Sequence, residues 1–343
     1  MNTSPRITKA QGRDTAALVI APQWIGDAVM TEPLMRRLAA RGERLTVGAL
    51  PWVAPVYRAM PQVAEVIEFP FAHGGLQFKA RRSLAQQMEG RFDVAYVLPN
   101  SLKSALLPFL ASIPKRVGYL GEARVGLLTH RLKNPPKDKR PPMVAFYSAL
   151  SGEPGIEADQ PRLQVDAAQC DAVLAKLGLA RGAYYVFVPG AEYGPAKRWP
   201  AQRFAELAQQ LDAPVLLLGA GKEAALGQEI VALAAGADCR NLAGTTSLAE
   251  AFALIAAARR VISNDTGLMH VAAALDVPQV ALFGSSSPEH TPPLSERAQV
   301  LWLKNDPAYQ PPLDCAPCFQ RVCPLGHLRC LNDITAERVR AAL

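Results

Sequence analysis

Asn264-Asp265-Thr266-Gly267 stands where an apolar pair of strand type, Val261-Ile262, gives way to the helix-forming run Leu268 to Leu275. A turn of that kind opens a helix at the carboxyl end of a strand, where free N–H groups and the positive dipole end favour a phosphate. Gly267, lacking a Cβ, lets the backbone come close to a ligand. The same residues also read as an ordinary capped helix. Asp-Thr-Gly is the aspartic-protease triplet too, but that chemistry needs an all-β setting and a helix-forming run follows here. Gly26-Asp27 follows the first apolar run, Ala16 to Ala21. A lone carboxylate there is either an N-cap or a general base toward a hydroxyl, and the missing G-x-G-x-x-G speaks against dinucleotide binding. Pro189 to Pro200 holds two Gly and three Pro and delivers Lys197-Arg198 ahead of a helix start. Such a loop is either an exposed basic loop or a rigid mount that sets Lys197 on a diphosphate as charge builds on the leaving group. Cys315, Cys318, Cys323 and Cys330, with His327 nearby, have metal-like spacing without matching a standard finger. A small structural zinc site and a reduced thiol cluster both fit, and neither is catalytic.

Elements must position these residues. Strand-type runs fall at Ala16–Ala21, Leu45–Leu50, Val63–Phe69, Phe92–Leu98 and Arg116–Tyr119, with Pro22–Asp27 as a loop and helical spacing from Ala28 to Leu38, around Leu84–Met88 and over Ser101–Ala111. A second series begins after residues 151–165, which are rich in Gly, Pro and acidic groups. It has strands at Tyr184–Pro189, Pro214–Gly219 and Gln279–Gly284, and helices at Ala201–Leu211, Glu223–Ala235 and Ser247–Ala258. Alternation of this kind predicts two doubly wound parallel sheets, in domains 1–165 and 166–343 with a cleft between them. Residues 131–142, with four Pro and five Lys or Arg, predict an exposed linker, and residues 1–14 a frayed start.

Half the residues are hydrophobic and a fifth are charged, as in globular proteins of ordinary solubility. The longest apolar run, Ala251–Ala258, is far short of the ~20 residues of a spanning helix. With no signal peptide evident, the expected location is the cytoplasm. The net charge of +7 is uneven: residues 1–165 carry 22 Lys and Arg against 13 Asp and Glu, and the remainder 15 against 17. The basic residues are scattered among apolar runs, not interleaved with stacking aromatics. An anionic membrane surface or a phosphorylated lipid therefore suits them better than nucleic acid, and a solvated excess with no partner suits them equally.

With these residues in view, the chain resembles the ADP-heptose:lipopolysaccharide heptosyltransferases of glycosyltransferase family 9. The resemblance rests on Trp24–Asp27, Tyr96–Ala105, Pro189–Pro200, Asn264–Leu275 and Ser285–Leu294, and runs from about Leu18 to the C-terminus. It implies a GT-B fold, two Rossmann-like domains facing a central cleft. It implies inverting transfer of L-glycero-D-manno-heptose from ADP-heptose to the first inner-core heptose of Kdo-lipid A, with no metal needed, at the inner face of the inner membrane. By the same resemblance Asp27 is the base and Lys197 the cation on the diphosphate. Asp265, Thr266 and Gly267 form the donor-binding turn, with His270 supporting it. Gly219 and Thr246 line the adenosine pocket, while Gly26, Asn100 and Lys103 lie on the acceptor side. Gly219-Ala220-Gly221-Lys222-Glu223 departs from the family's pattern, so the resemblance assigns no ribose-recognising glutamate. A family 9 enzyme with another acceptor, a GT-B nucleotide-sugar epimerase and a non-catalytic binding module are the competing readings.

Overall fold

The computed structural model describes residues 15–71, 75–136, 139, 141–153 and 159–343. The expected frayed start, and parts of the 131–142 linker and the 151–165 boundary, lie outside them. The chain divides into two compact units. The first holds residues up to Ala21 together with Met35–Leu50 and Gln62–Asn134; the second holds Pro22–Leu34, Pro51–Pro61 and Pro135–Leu343.

The first unit is built on a parallel sheet of β1 (Thr15–Ile20), β2 (Glu43–Ala49), β3 (Val63–Glu68), β4 (Val94–Val97), β5 (Lys115–Tyr119) and β6 (His130–Leu132), in the order β3-β2-β1-β4-β5-β6. Its central strands are apolar throughout because helices cover both faces of such a sheet. Leu18, Ile20, Ala95 and Val97 are buried with Phe69, Phe71, Met88 and Leu107. Strand β6 occupies part of the stretch expected to be linker: Gly118 and Tyr119 pair with Arg131 and Leu132.

Two helices follow β1: α1 (Ile25–Met30) and α2 (Glu32–Ala40). Asp27 therefore sits in the first turn of a helix, not in the loop read from Pro22–Asp27. The expected single helix is broken at Thr31, whose N–H closes on Ala28; Pro33, two residues on, has no N–H to continue the ladder. α3 (Ala54–Arg58), α4 (Phe78–Met88), α5 (Leu102–Leu110), α6 (Met143–Ser148) and α7 (Ala167–Leu177) come next.

The second unit carries β7 (Tyr185–Val188), β8 (Val215–Leu217), β9 (Cys239–Asn241), β10 (Arg260–Asn264), β11 (Gln279–Phe283) and β12 (Ala298–Trp302), all parallel, in the order β12-β11-β10-β7-β8-β9. Counted within each sheet, both orders are 3-2-1-4-5-6. The chain reverses direction across the sheet between β1 and β4, and again between β7 and β10. Ligands of open α/β sheets bind at the carboxyl ends of strands at such points. α8 (Ala201–Gln209), α9 (Ala224–Leu233), α10 (Leu248–Ala256), α11 (Gly267–Ala274), α12 (Arg329–Asn332) and α13 (Ala336–Ala341) complete the chain. Trp199, Phe204, Phe187, Leu217, Ile262 and Leu331 lie in this unit's main core. Among the described residues no helix is long and apolar enough to cross a membrane.

Candidate active site

In the second unit the reversal point brings together the loop after β7 and the turn after β10. Asn264, the last residue of β10, is fully buried and clamps the loop at both ends. Its side-chain amide donates to the Pro189 carbonyl at 2.7 Å, and its carbonyl oxygen accepts from the Trp199 N–H at 3.0 Å. Between those anchors a turn of 3-10 helix, Pro195–Lys197, presents Lys197. Its Nζ donates to Oδ2 of Asp265 at 2.5 Å, and the pair is largely shielded from solvent.

Thr266 precedes α11 without capping it, and its hydroxyl is buried with no hydrogen-bond partner among the described residues. The Ser285 and Ser286 hydroxyls, just past β11, are likewise unpartnered. Native proteins seldom leave such groups unsatisfied, so a donor set next to a helix N-terminus has unused capacity for an anionic ligand.

α11 also carries α1. A Cβ on Gly267 would come within 2.8 Å of Ile25 Cβ, and one on Gly26 within 2.9 Å of His270 Cδ2. Two glycines thus let the helices touch, and the smallness of Gly267 serves this packing. Asp27 is carried in on the same turn. It is only partly covered, yet protein surrounds its carboxyl. Burial raises its pKa above the usual carboxylate value; the Tyr147 hydrogen bond and the Lys197 charge pull it back, and Asp265 pushes it up again. Burial drives His270 down to about 4, so it stands neutral against Gly26 at ordinary pH.

Gly219 follows β8 and Thr246 precedes α10. Gly244 N–H donates to the Gly219 carbonyl at 2.9 Å, and Thr246 stands just before Ser247, which caps α10. The site also holds a residue that sequence reading left out. Glu223 places its carboxylate where a Cβ on Gly190 or Gly219 would have to go, and accepts from the Ala220 N–H at 2.8 Å. The glycines on either side, Gly190 and Gly219, were the available signal. Tyr147 was missed as well, because an aromatic in a short apolar helix reads as core, and Asn264 was read only as part of the turn, not as the clamp on the loop.

Asn100 and Lys103 belong to the first unit. The Asn100 side chain accepts from Arg124 at 2.8 Å and donates to Asn134 at 3.2 Å. Lys103 lies in the first turn of α5, two residues after the capping Ser101.

Cys315, Cys318, Cys323 and Cys330 do converge, lining one small cavity with Ala196, Ser285 and His327. Among the described residues, however, no group of three or more His, Cys, Asp or Glu side chains is set to hold a metal ion. The segment instead braces the Lys197 loop: Tyr193 donates to the Phe319 carbonyl at 2.8 Å, and the Ala196 N–H to the Arg321 carbonyl at 3.0 Å.

The sequence model of glycosyltransferase family 9 (heptosyltransferase) matches residues 81–329. The chain belongs to this family. Lipopolysaccharide heptosyltransferase 2 of Salmonella typhimurium is 45% identical to this family 9 enzyme over 306 residues, covering 83% of this chain and 87% of that protein. The Escherichia coli protein of the same name is 43% identical over 341 residues, or 94% and 95% of the two chains. The solved structure of E. coli ADP-heptose lps heptosyltransferase II superposes with a TM-score of 0.81 at 40% identity, covering 96% of this chain and 97% of that one. The family 9 chain therefore has the GT-B fold expected from its sequence, and it is a glycosyltransferase acting in lipopolysaccharide core biosynthesis.

Proposed function

We propose that the protein moves L-glycero-D-manno-heptose from ADP-heptose to the first inner-core heptose of Kdo-lipid A. The observation that carries this reading is the set of groups gathered on α1, α11 and the loop after β7: a desolvated carboxylate at Asp27, a cation at Lys197, and unpartnered donors beside a helix N-terminus. Asp27 takes the proton of the acceptor hydroxyl as its oxygen attacks the anomeric carbon from the face opposite ADP. The bond to the diphosphate breaks, and the electron pair leaves with ADP. Lys197, the backbone amides of Thr266 and Gly267 at the start of α11, and the Thr266 hydroxyl offset the charge that grows on the departing diphosphate. Asp265 holds Lys197 in place and lies beside the sugar hydroxyls, with neutral His270 supporting the turn from behind.

Gly219 and Thr246 border the adenosine. The Glu223 carboxylate, for which Gly190 and Gly219 leave room, accepts from the ribose hydroxyls. Residues 166–343 form the donor-binding domain and residues 1–165 the acceptor-binding domain, with Gly26, Asn100 and Lys103 toward the acceptor. The enzyme works in the cytoplasm, on the inner face of the inner membrane, without nucleic acid.

The test is a turnover assay with ADP-heptose and Kdo-lipid A acceptors bearing no heptose or one. Product only from the mono-heptosylated acceptor supports the proposal. Product only from the heptose-free acceptor makes the protein the preceding transferase, and donor consumption without acceptor makes it an epimerase.

A further inference from the structure

Tyr147 lies on α6, outside every motif that carries the family resemblance. It is buried, and its hydroxyl donates to Oδ1 of Asp27 at 2.9 Å. A second buried tyrosine, Tyr57, stands nearby, but its hydroxyl is committed elsewhere. Thr31 gives its own proton to the Ala28 carbonyl at 2.6 Å, so the 3.2 Å contact between Tyr57 and Thr31 has Tyr57 as donor. Of the two phenols, Tyr147 alone is left to serve the carboxylate.

We propose that Tyr147 is a positioning residue for the base: its hydroxyl holds Oδ1 of Asp27, orients the carboxylate, and leaves Oδ2 to take the acceptor's proton. The inference rests on the reading of Asp27 as that base. Four other titratable groups bear on the same environment: Lys197 from the loop after β7, Asp265 from the turn after β10, Tyr57 from α3 and His270 from α11. Lys197 and Asp265 act with opposite signs on Asp27, and His270 is neutral at working pH. Tyr57, also neutral, gives its proton to Thr31. Tyr147 is therefore the uncharged donor bonded directly to the base. Burial and the neighbouring carboxylate raise its own pKa well above the ordinary phenol value, so it stays protonated and keeps donating across the working range. A donor to the ionised form favours that form. Without it, desolvation would hold Asp27 protonated to higher pH.

The experiment compares wild type, Tyr147→Phe and Tyr184→Phe. The last removes a buried hydroxyl bonded to the Leu254 carbonyl and controls for general packing damage. Turnover is measured against pH with ADP-heptose and the mono-heptosylated acceptor. For Tyr147→Phe the acid limb of kcat moves about one pH unit higher, with about tenfold lower turnover below the limb, a nearly unchanged alkaline plateau and an unchanged KM for ADP-heptose. Tyr184→Phe leaves the limb where it is. A Tyr147→Phe limb that stays in place, with equal loss at every pH, reduces Tyr147 to packing and overturns the proposal. If that variant folds but turns over too slowly to profile, 3-fluorotyrosine at position 147 decides. The more acidic phenol shifts the limb to lower pH if the proposal holds, and an unmoved limb defeats it. Asp27→Asn separates the two layers: activity retained there ends the base reading itself, whereas activity lost there with an unmoved Tyr147→Phe limb ends only the role of Tyr147.

Discussion

At the scale of residues, the site depends on charges kept in a poorly solvated place. Lys197 is held by Asp265 at 2.5 Å, and in the proposed reaction it meets the charge that appears as the sugar–phosphate bond breaks. Lys197→Met should lower kcat by roughly 10²-fold, the usual worth of one such stabilising group, and weaken ADP binding as well. Steady-state kinetics with ADP titration calorimetry will check it, and wild-type values in both would remove Lys197 from the reaction. His270 makes a second prediction, about stability. Its pKa falls from about 6.5 unfolded to about 4 folded because burial disfavours the cation. Between those values the unfolded chain binds more protons. The contribution of neutral His270 is therefore whole above pH 6.5 and is lost as pH falls toward 4. Urea melts at pH 7 and pH 5 should show wild type losing on the order of 2 kcal/mol more than His270→Gln over that interval; equal losses would acquit the histidine. Asp27, Lys197 and Asp265 stood out in the sequence as charged residues in turns and loops that follow apolar strand runs, and the roles proposed for them came from the family resemblance. Tyr147 and Glu223 did not stand out, since their roles come from neighbours far away in the chain.

At the scale of elements, most strands and helices with a repeating apolar pattern could be read from the sequence, while the eleven-residue α7, the strand β12 and several short pieces were not. α3, α6, β6 and β9 each span three to six residues, too few for a period to repeat. α6 is the costly omission, because it carries Tyr147. The turn after β10 was visible as a turn, but not Asn264 as the clamp on the loop after β7, because a buried amide reaching across 75 residues leaves no local mark. Asn264→Ala removes two buried bonds and leaves the Trp199 N–H and the Pro189 carbonyl unpaired. A stability loss of about 2–4 kcal/mol should follow, with kcat falling as in Lys197→Met because the cation is no longer fixed. Denaturant titration and kinetics on one preparation will test the link; lost stability with normal turnover would mean that the loop holds itself. Gly267→Ala probes the other junction. The added methyl meets Ile25 at 2.8 Å and must push α1 away, so kcat should drop at least tenfold while ADP binding survives. An unaffected kcat would show that Asp27 tolerates the displacement.

At the scale of the whole molecule, two doubly wound parallel sheets were legible in the alternation of the sequence, whereas their common strand order and the separate stretches of chain that the units take up were not. Residues 22–34 and 51–61 belong with the second sheet although they follow β1 and β2. Such exchange depends on tertiary packing, which local pattern does not encode. Charge is the whole-molecule property most open to test. Residues 1–165 carry an excess of nine positive charges and residues 166–343 an excess of two negative ones. An enzyme acting on the anionic lipid acceptor proposed above gains by lingering at an anionic surface, and each Lys or Arg close to that surface contributes about 1 kcal/mol within roughly 10 Å at moderate salt. Cosedimentation with vesicles holding about a third anionic lipid should therefore be appreciable at low salt. It should fall steeply toward about 0.5 M salt, where the field reaches only a few ångströms, and be negligible on zwitterionic vesicles at any salt. Binding that ignores both salt and lipid charge would point to apolar insertion. Absence of binding to anionic vesicles at low salt would leave the basic excess as solvated surface.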